Sequence, residues 1–156
     1  MLIVLRGNSG SGKSTVARML QARLGNTALL QQDHFRRVIF NEKEQVSMAH
    51  AELLETAAVF CLRRDHHVVL DGIFDATRCE VTLMRIAASS DDARFFSFDL
   101  TFEETLRRHA ARAETCGFTA DDMRGWYHGW QPLSAVDEER ITADETPEGI
   151  VERILA

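Results

Sequence analysis

The sequence predicts an α/β fold, in which a five-stranded, mainly parallel sheet has helices on both faces. Short apolar runs of strand type alternate with segments whose apolar residues recur at helical spacing, a pattern typical of parallel sheets. A glycine-rich segment joins the first apolar run to the first helical segment, and polar residues directly follow later runs. With 156 residues and no linker or repeat, we expect a single domain, 1–156.

The amino-terminal half of the chain predicts three of the five strands. Residues 2–5 are an apolar run of buried-strand type, and residues 14–24 follow with apolar side chains one helical turn apart. Residues 28–31 and 68–70 predict the second and third strands. Between them, residues 49–62 carry the apolar face of a longer helix.

The carboxyl-terminal half predicts the other two strands and the last helix. Residues 94–100 form the fourth apolar run, and residues 140–142 predict a short fifth strand. Thr146 and Pro147 have the residue types preferred at the N-cap and at the first position of a helix. We therefore expect the chain to end in a helix packed on the sheet.

Three further helix starts are predicted by capping residues. Residues Thr77–Glu80 and Thr101–Glu104 match the capping box, in which an N-cap hydroxyl and a later glutamate bond reciprocally to backbone amides. Residues Thr119–Asp122 predict the start of another helix, which would carry Trp126 and Trp130. Helical packing explains these aromatic residues, and an aromatic wall of a substrate pocket is the sharper alternative.

The segment that joins the first strand to the first helix fits the phosphate-binding pattern G-x-x-x-x-G-K-[ST]. Its glycines let successive backbone N–H groups point at a phosphate chain, and the following helix adds its positive N-terminus. Lys13 would reach the β- and γ-phosphates, and this context predicts that the chain binds a nucleoside triphosphate. The residues expected to contact the nucleotide are Gly7, Asn8, Ser9, Gly10, Ser11, Gly12, Lys13, Ser14 and Thr15.

Composition limits the class of protein and its surroundings. The apolar content of 45% and charged content of 27% are typical of a soluble globular protein, and no apolar run is long enough for a membrane span. The net charge of −6 disfavours a grip on long nucleic acid. Cys61, Cys79 and Cys116 are odd in number and widely spaced, which favours reduced thiols and a cytoplasmic location.

Asp33 follows the second strand, where a carboxylate would face the γ-phosphate end of the loop. Phosphoryl transfer to an alcohol requires an oriented hydroxyl whose proton is accepted, and an aspartate does both. Arg36 is three residues later, on the same helix face, and would either pair with Asp33 or bind an anionic group of the acceptor. The plainer alternative is an N-cap aspartate with an ion-paired arginine.

Two oxygen ligands for Mg²⁺ are predicted. Asp71 ends the third apolar strand, as a magnesium-holding acid does in nucleotide-binding folds, and the Ser14 hydroxyl closes the phosphate loop. A turn aspartate before Gly72 is the alternative for Asp71. Mg²⁺ is therefore expected beside the nucleotide.

A basic cluster follows the fourth strand, within a helical lid expected at about residues 105–130. Arg108 and Arg112 are four residues apart and share one helix face, where they could stabilise charge on the transferred phosphoryl group. Arg107 lies on a different face and is expected to be solvated. A wet, charged surface is the alternative for the whole cluster.

These residues together resemble the small P-loop kinases, a group that includes polynucleotide 5′-kinase, chloramphenicol phosphotransferase, zeta-toxin kinases and bacterial AAA-type kinases. The resemblance spans nearly the whole chain and implies that Asp33 activates the acceptor hydroxyl, that Arg36 contacts an acceptor phosphate, and that Arg108 and Arg112 belong to the lid. It also implies an adenine pocket between the lid and residues 144–146. The segments that carry it are G-N-S-G-S-G-K-S at 7–14, D-H-F-R at 33–36, V-V-L-D-G at 68–72 and R-H-A-A-R at 108–112.

We therefore expect an ATP- and Mg²⁺-dependent kinase whose acceptor is a hydroxyl of a small molecule, such as a nucleoside, sugar, antibiotic or metabolite. Phosphorylation of an oligonucleotide 5′-hydroxyl is an alternative, which Asp33 and Arg36 support and the acidic charge disfavours. A non-catalytic nucleotide-binding switch is an alternative of another class. A guanine-specific switch needs an N-K-x-D segment, and the sequence has none.

Overall fold

A computed structural model describes residues 1–42, 48–111 and 118–156. Its central sheet is parallel in every strand pair and has the order β2-β3-β1-β4-β5. The predicted five-stranded α/β fold is thus confirmed. The strands are β1 (Leu2–Gly7), β2 (Thr27–Gln31), β3 (His67–Gly72), β4 (Ala93–Phe98) and β5 (Glu139–Ile141).

Helices cover both faces of this sheet. In β1, Leu2 and Val4 point into an apolar cluster on one face, while Ile3 and Leu5 point into a cluster on the other. All four are fully buried, and each contributes about 1.5–3 kcal/mol to folding, which explains the continuous apolar run. The α-helices are α1 (Lys13–Leu24), α2 (Ala49–Leu62), α3 (Ala76–Ala87), α4 (Phe102–Ala110), α5 (Ala120–Trp126) and α6 (Pro147–Leu155), and a π-helix spans His34–Ile39.

Helix α3 starts differently from the prediction. Its N-cap is Asp75, whose carboxylate accepts from the backbone N–H of Arg78 at 3.1 Å. The capping box predicted at Thr77–Glu80 is wrong, because the Thr77 hydroxyl lies 2.5 Å from the Asp75 carboxylate. Glu80 instead accepts a hydrogen bond from the backbone N–H of Ala135, at 2.8 Å, and so binds the segment before β5.

The lid helices also differ in part. Thr101 caps α4 as predicted, but Glu104 does not complete the box and pairs with arginines of its own helix. Thr119 starts α5 with a full capping box. The prediction that this helix carries Trp130 is wrong: α5 ends at Trp126, because Tyr127 has an extended backbone with φ −76° and ψ 122°.

Two of the three cysteines lie within the described residues. Cys61 and Cys79 are free, and burial raises the pKa of the Cys79 thiol to about 11. Cys116 lies outside the described residues. None of the helices in the described ranges has the length and apolar character that a bilayer crossing requires.

A buried ion pair joins the end of β1 to the segment before β5. Arg6 Nη1 donates to both carboxylate oxygens of Glu138 at 2.7 Å. Arg6 Nε and Nη2 donate to the carbonyl of Phe74 at 3.1 and 2.9 Å, and Nη2 also donates to the carbonyl of Gln131. Glu138 in turn accepts from the backbone N–H of Leu133 at 2.6 Å. One guanidinium thereby connects three segments that meet beside the phosphate loop.

We expect Glu138→Ala to lower the free energy of unfolding by about 3–5 kcal/mol, because it leaves the Arg6 guanidinium buried without its carboxylate. Urea denaturation measures this change. Glu139→Ala is the matched control, since Glu139 is exposed and its Oε2 lies 3.8 Å from Nε of Arg153, which is also exposed. This substitution should change the free energy of unfolding by no more than about 0.5 kcal/mol. Equal effects of the two variants would contradict the structural role of the buried pair.

Candidate active site

A cavity of about 610 Å³ opens beyond the carboxyl ends of β1, β2 and β3. Parallel sheets bind their ligands at this edge. Seven of the nine predicted nucleotide-contacting residues line it, together with both predicted aspartates. The lining residues are Ser9, Gly10, Ser11, Gly12, Lys13, Ser14, Thr15, Arg18, Gln31, Asp33, His34, Asp71, Gly72, Ile73 and Phe118.

The phosphate loop is shaped by close contact with the lid. Gly10 has a positive φ of 80°, and a Cβ placed there would lie 2.6 Å from the carbonyl oxygen of Thr105 in α4. A side chain at Gly10 would therefore push α4 off the loop. The same close approach brings Arg108 near the loop, since a Cβ at Gly12 would lie 3.4 Å from its Nη1.

Lys13 is the first residue of α1 and is buried. Its ammonium donates to the carbonyl of Asn8 at 2.8 Å and lies 3.2 Å from the Ser11 hydroxyl. The charged group therefore lies across the loop, where the helix N-terminus also points. A cation and backbone amides in one concave loop are suited to bind a phosphate chain.

Gly7 and Asn8 do not line this cavity. Asn8 Oδ1 accepts from the backbone N–H of His128 at 2.9 Å, and its Nδ2 donates to the carbonyl of Gly129 at 3.2 Å. A Cβ at Gly7 would lie 2.8 Å from Cβ of Phe98 in β4. Both residues therefore support the shape of the loop from outside the cavity, and their contact with the nucleotide stays a prediction.

Ser14 and Asp71 line the same cavity, as the magnesium prediction requires. Asp71 is buried at the end of β3, and its Oδ2 accepts from Gln31 Nε2 at 2.9 Å. Among the described residues, no cluster of three or more His, Cys, Asp or Glu side chains could hold a metal ion alone. Mg²⁺ is commonly held by one or two protein oxygens together with substrate phosphates, so a hydroxyl and one carboxylate fit this ion.

Asp33 precedes the π-helix and faces the cavity with a side chain that is 61% exposed. Two consecutive arginines reach its Oδ1: Arg36 Nη2 at 3.1 Å and Arg37 Nε at 3.5 Å. Arg36 is buried and does not line the cavity, so its predicted contact with an acceptor anion stays a prediction. π-helical turns are frequently found at functional sites, which suits this position.

Aromatic residues of the lid lie beside this pair, and sequence reasoning missed their arrangement. Phe118 lines the cavity, stacks on His109 with ring centroids 4.9 Å apart, and meets Trp126 edge to face. The Arg37 guanidinium lies 4.9 Å from the Trp126 ring centroid. Trp126 and Trp130 are not among the residues that line the cavity, so an aromatic pocket wall built from them stays a prediction. The Tyr127 hydroxyl donates to the carbonyl of Leu100 at 3.0 Å. The one feature of the sequence that could have indicated a second partner of Asp33 is the pair of consecutive arginines, Arg36 and Arg37.

Two arginines of the predicted lid, Arg107 and Arg108, lie within the described residues. Arg108 donates to the carbonyls of Ser11 at 2.9 Å and Ala143 at 3.0 Å, so it spans the phosphate loop and the segment after β5. Arg107 points to solvent. Hydrogen bonds from Arg107 and Arg108 lower the pKa of the Glu104 carboxyl to about 2. Arg112 lies outside the described residues, and Arg108 does not line the cavity, so their roles stay predictions.

Solved structures of small kinases share this fold. The APS kinase of Mycobacterium tuberculosis has a TM-score of 0.68 at 23% identity, over 99% of this chain and 94% of that one. A gluconokinase from Sinorhizobium meliloti has a TM-score of 0.67 at 16% identity, over 98% of this chain and 88% of that one. A chain of the Pnkp1/Rnl/Hen1 RNA repair complex has a TM-score of 0.59 at 26% identity, over 79% of this chain and 41% of that one.

Sequence comparison identifies the family. The family model for the AAA domain matches residues 2–124, which is well over half of the chain. A comparison with curated proteins finds no match. The predicted resemblance to small P-loop kinases is confirmed, and the chain belongs to the AAA domain family.

Proposed function

We propose that this protein is an ATP- and Mg²⁺-dependent kinase that transfers the γ-phosphoryl group to a hydroxyl of a small molecule. The observation that carries the proposal is that one cavity contains the phosphate loop, the Ser14–Asp71 oxygen pair and the Asp33 carboxylate. Phosphoryl transfer needs these three parts and little else from a protein. The acceptor is a nucleoside, sugar, antibiotic or metabolite hydroxyl.

The loop and Lys13 bind the phosphate chain in this proposal. Backbone N–H groups of residues 9–14 surround the phosphates, and the Lys13 ammonium exchanges its bonds to Asn8 and Ser11 for bonds to phosphate oxygens. Ser14 and Asp71 hold Mg²⁺, which when bound neutralises the charge that develops on the phosphoryl oxygens.

Asp33 accepts the proton of the attacking hydroxyl. Its exposed carboxylate lines the cavity, and Arg36 and Arg37 restrict its orientation. A fixed carboxylate aligns the hydroxyl with the phosphorus atom, which lowers the entropic part of the barrier. Arg36 is the residue that would bind an anionic group of the acceptor, after exchanging its bond to Asp33.

The 5′-hydroxyl of an oligonucleotide is the second candidate acceptor. The likeness to a chain of an RNA repair complex, at 26% identity, favours it, as does the Asp33–Arg36 pair. The net charge of −6 opposes it, because phosphate contacts require a basic surface. A non-catalytic nucleotide-binding switch does not explain the Asp33 carboxylate in the cavity, because a switch needs no general base.

A panel assay separates these candidates. ATP consumption is measured with nucleosides, sugars and sugar acids, antibiotics and 5′-hydroxyl oligonucleotides, and phosphorylated product is identified by mass. The kinase proposal requires a product with at least one acceptor class that depends on Mg²⁺ and on Lys13. Nucleotide binding without transfer to any member would support the switch instead.

Lys13→Met should abolish phosphoryl transfer, because it removes the one cation within the phosphate loop. Initial rates with saturating ATP measure the effect, and circular dichroism confirms that the variant folds. Arg23→Met is a control, since Arg23 is exposed and pairs with Glu152 on the protein surface. Full activity of folded Lys13→Met would exclude the proposed kinase.

Asp33→Asn should lower kcat by at least about a hundredfold, the scale of general base catalysis, while ATP affinity changes by no more than a few-fold. Asparagine keeps the shape of the side chain and loses the proton-accepting charge. Single-turnover kinetics and nucleotide titration measure the two effects separately. If ATP binding is lost and turnover at saturation is kept, Asp33 is a nucleotide contact and not the base.

Arg108→Ala should lower kcat by at least about tenfold, equivalent to ~1.4 kcal/mol, with a smaller effect on the KM for ATP. Arg107→Ala should be nearly silent, because the two side chains share Glu104 and only Arg108 reaches the loop. Steady-state kinetics of the two variants test this. Equal losses would leave only a diffuse electrostatic role for the helix.

A further inference from the structure

Asp33 is held by a second arginine whose other contacts lie in the lid. Arg37 Nε is 3.5 Å from Asp33 Oδ1, and its guanidinium carbon lies 4.9 Å from the Trp126 ring centroid and 5.9 Å from that of Phe118. Trp126 ends α5, and Phe118 stacks on His109 of α4. One side chain therefore touches the predicted base and the aromatic residues that join both lid helices.

The exposure of Asp33 shows why this contact matters. Its side chain is 61% exposed, and an ion pair in contact with water orders its partners weakly. The Arg37 side chain is 34% exposed, and its guanidinium lies over an indole ring, where cation–π attraction adds to the ion pair. The aromatic contact restricts the guanidinium, and the restricted guanidinium in turn restricts the carboxylate.

Arg36 and Arg37 both contact Asp33 but differ in their surroundings. Arg36 is buried, and its bond to Asp33 is made within the same helix. Arg37 contacts Asp33 and, through Trp126 and Phe118, residues more than eighty positions later in the chain. A movement of α4 and α5 therefore reaches Asp33 through Arg37.

We propose that Arg37 is a positioning residue that couples the orientation of Asp33 to the position of the lid. Arg37 does not touch the reacting atoms; it holds the carboxylate in line when Trp126 and Phe118 are packed beside it. This inference rests on the proposed kinase function for its kinetic effect. Its structural part, the coupling of Asp33 to Trp126, can be tested without any acceptor.

The kinetic test uses whichever acceptor the panel identifies. Arg37→Leu should lower kcat by at least about tenfold and change the KM for ATP by less than about twofold, because Arg37 acts through the base. Arg37→Lys, which keeps the charge beside Asp33, should recover at least about threefold of that loss. In an Asp33→Asn background, Arg37→Leu should add less than about a twofold loss, since residues that act as one unit are not additive.

Arg64→Leu is the matched control. The Arg64 guanidinium lies 3.7 Å from the ring centroid of Phe60, so this variant also removes an arginine–aromatic contact. Arg64 follows α2 and leads into the start of β3, at the edge of the sheet opposite the cavity. Its kcat should be unchanged. Equal kcat values for Arg37→Leu and Arg64→Leu, or full additivity with Asp33→Asn, would overturn the proposal.

A fluorescence test is independent of catalysis. The chain has two tryptophans, so Trp130→Phe leaves Trp126 as the only indole. In that background Asp33→Asn should raise acrylamide quenching of Trp126 by about 1.5-fold or more, and the same substitution should have no effect once Arg37 is leucine. An Asp33 effect that persists without Arg37, or no effect at all, would overturn the coupling. Loss of activity on the whole panel with this coupling intact would refute only the kinase proposal.

Discussion

The buried guanidinium of Arg6 is the interaction on which the arrangement of the cavity depends. It lies at the end of β1, directly before the phosphate loop, and binds Glu138, the carbonyl of Phe74 and the carbonyl of Gln131. A buried arginine is tolerated only when its donors are paired, so these segments must keep their relative positions for the fold to be stable. The loops that follow β1 and β3 are thereby held at one edge of the sheet.

Local patterns predicted the sheet and the phosphate loop well, because their causes lie within a few residues. The G-x-x-x-x-G-K-[ST] segment follows a buried strand and opens a helix, Asp33 follows the end of β2, and Asp71 is at the end of β3. The choice between two side chains that could cap the same helix was harder to predict. Thr77 is a good N-cap by type, yet the Asp75 carboxylate accepts from the backbone N–H of Arg78 and from the Thr77 hydroxyl. Local propensity cannot rank two adjacent capping residues when one binds the other.

Long-range pairs lay beyond sequence reasoning. Arg6 and Glu138 are 132 positions apart, and neither residue type is expected in a core. Arg36 and Arg37 stand three and four residues after Asp33, spacings that place side chains on one side of a helix. The contact of Arg37 with Trp126 depends in addition on the π-helix lying beside α5, which ends at Trp126. A regular pattern of residues in the sequence indicates neither a π-helix nor the place where a short helix stops.

The Lys13 side chain makes hydrogen bonds within the phosphate loop that carries it. Its ammonium is bonded to the Asn8 carbonyl and lies beside the Ser11 hydroxyl, while the Asn8 side chain holds the backbone at His128 and Gly129. The loop therefore keeps its concave shape through internal bonds, and much of its conformational entropy is lost on folding, before any ligand arrives. A phosphate chain would meet a loop whose shape is already fixed by these bonds and would replace an internal acceptor of the lysine, so its affinity would depend on an exchange of hydrogen bonds more than on an ordering of the backbone.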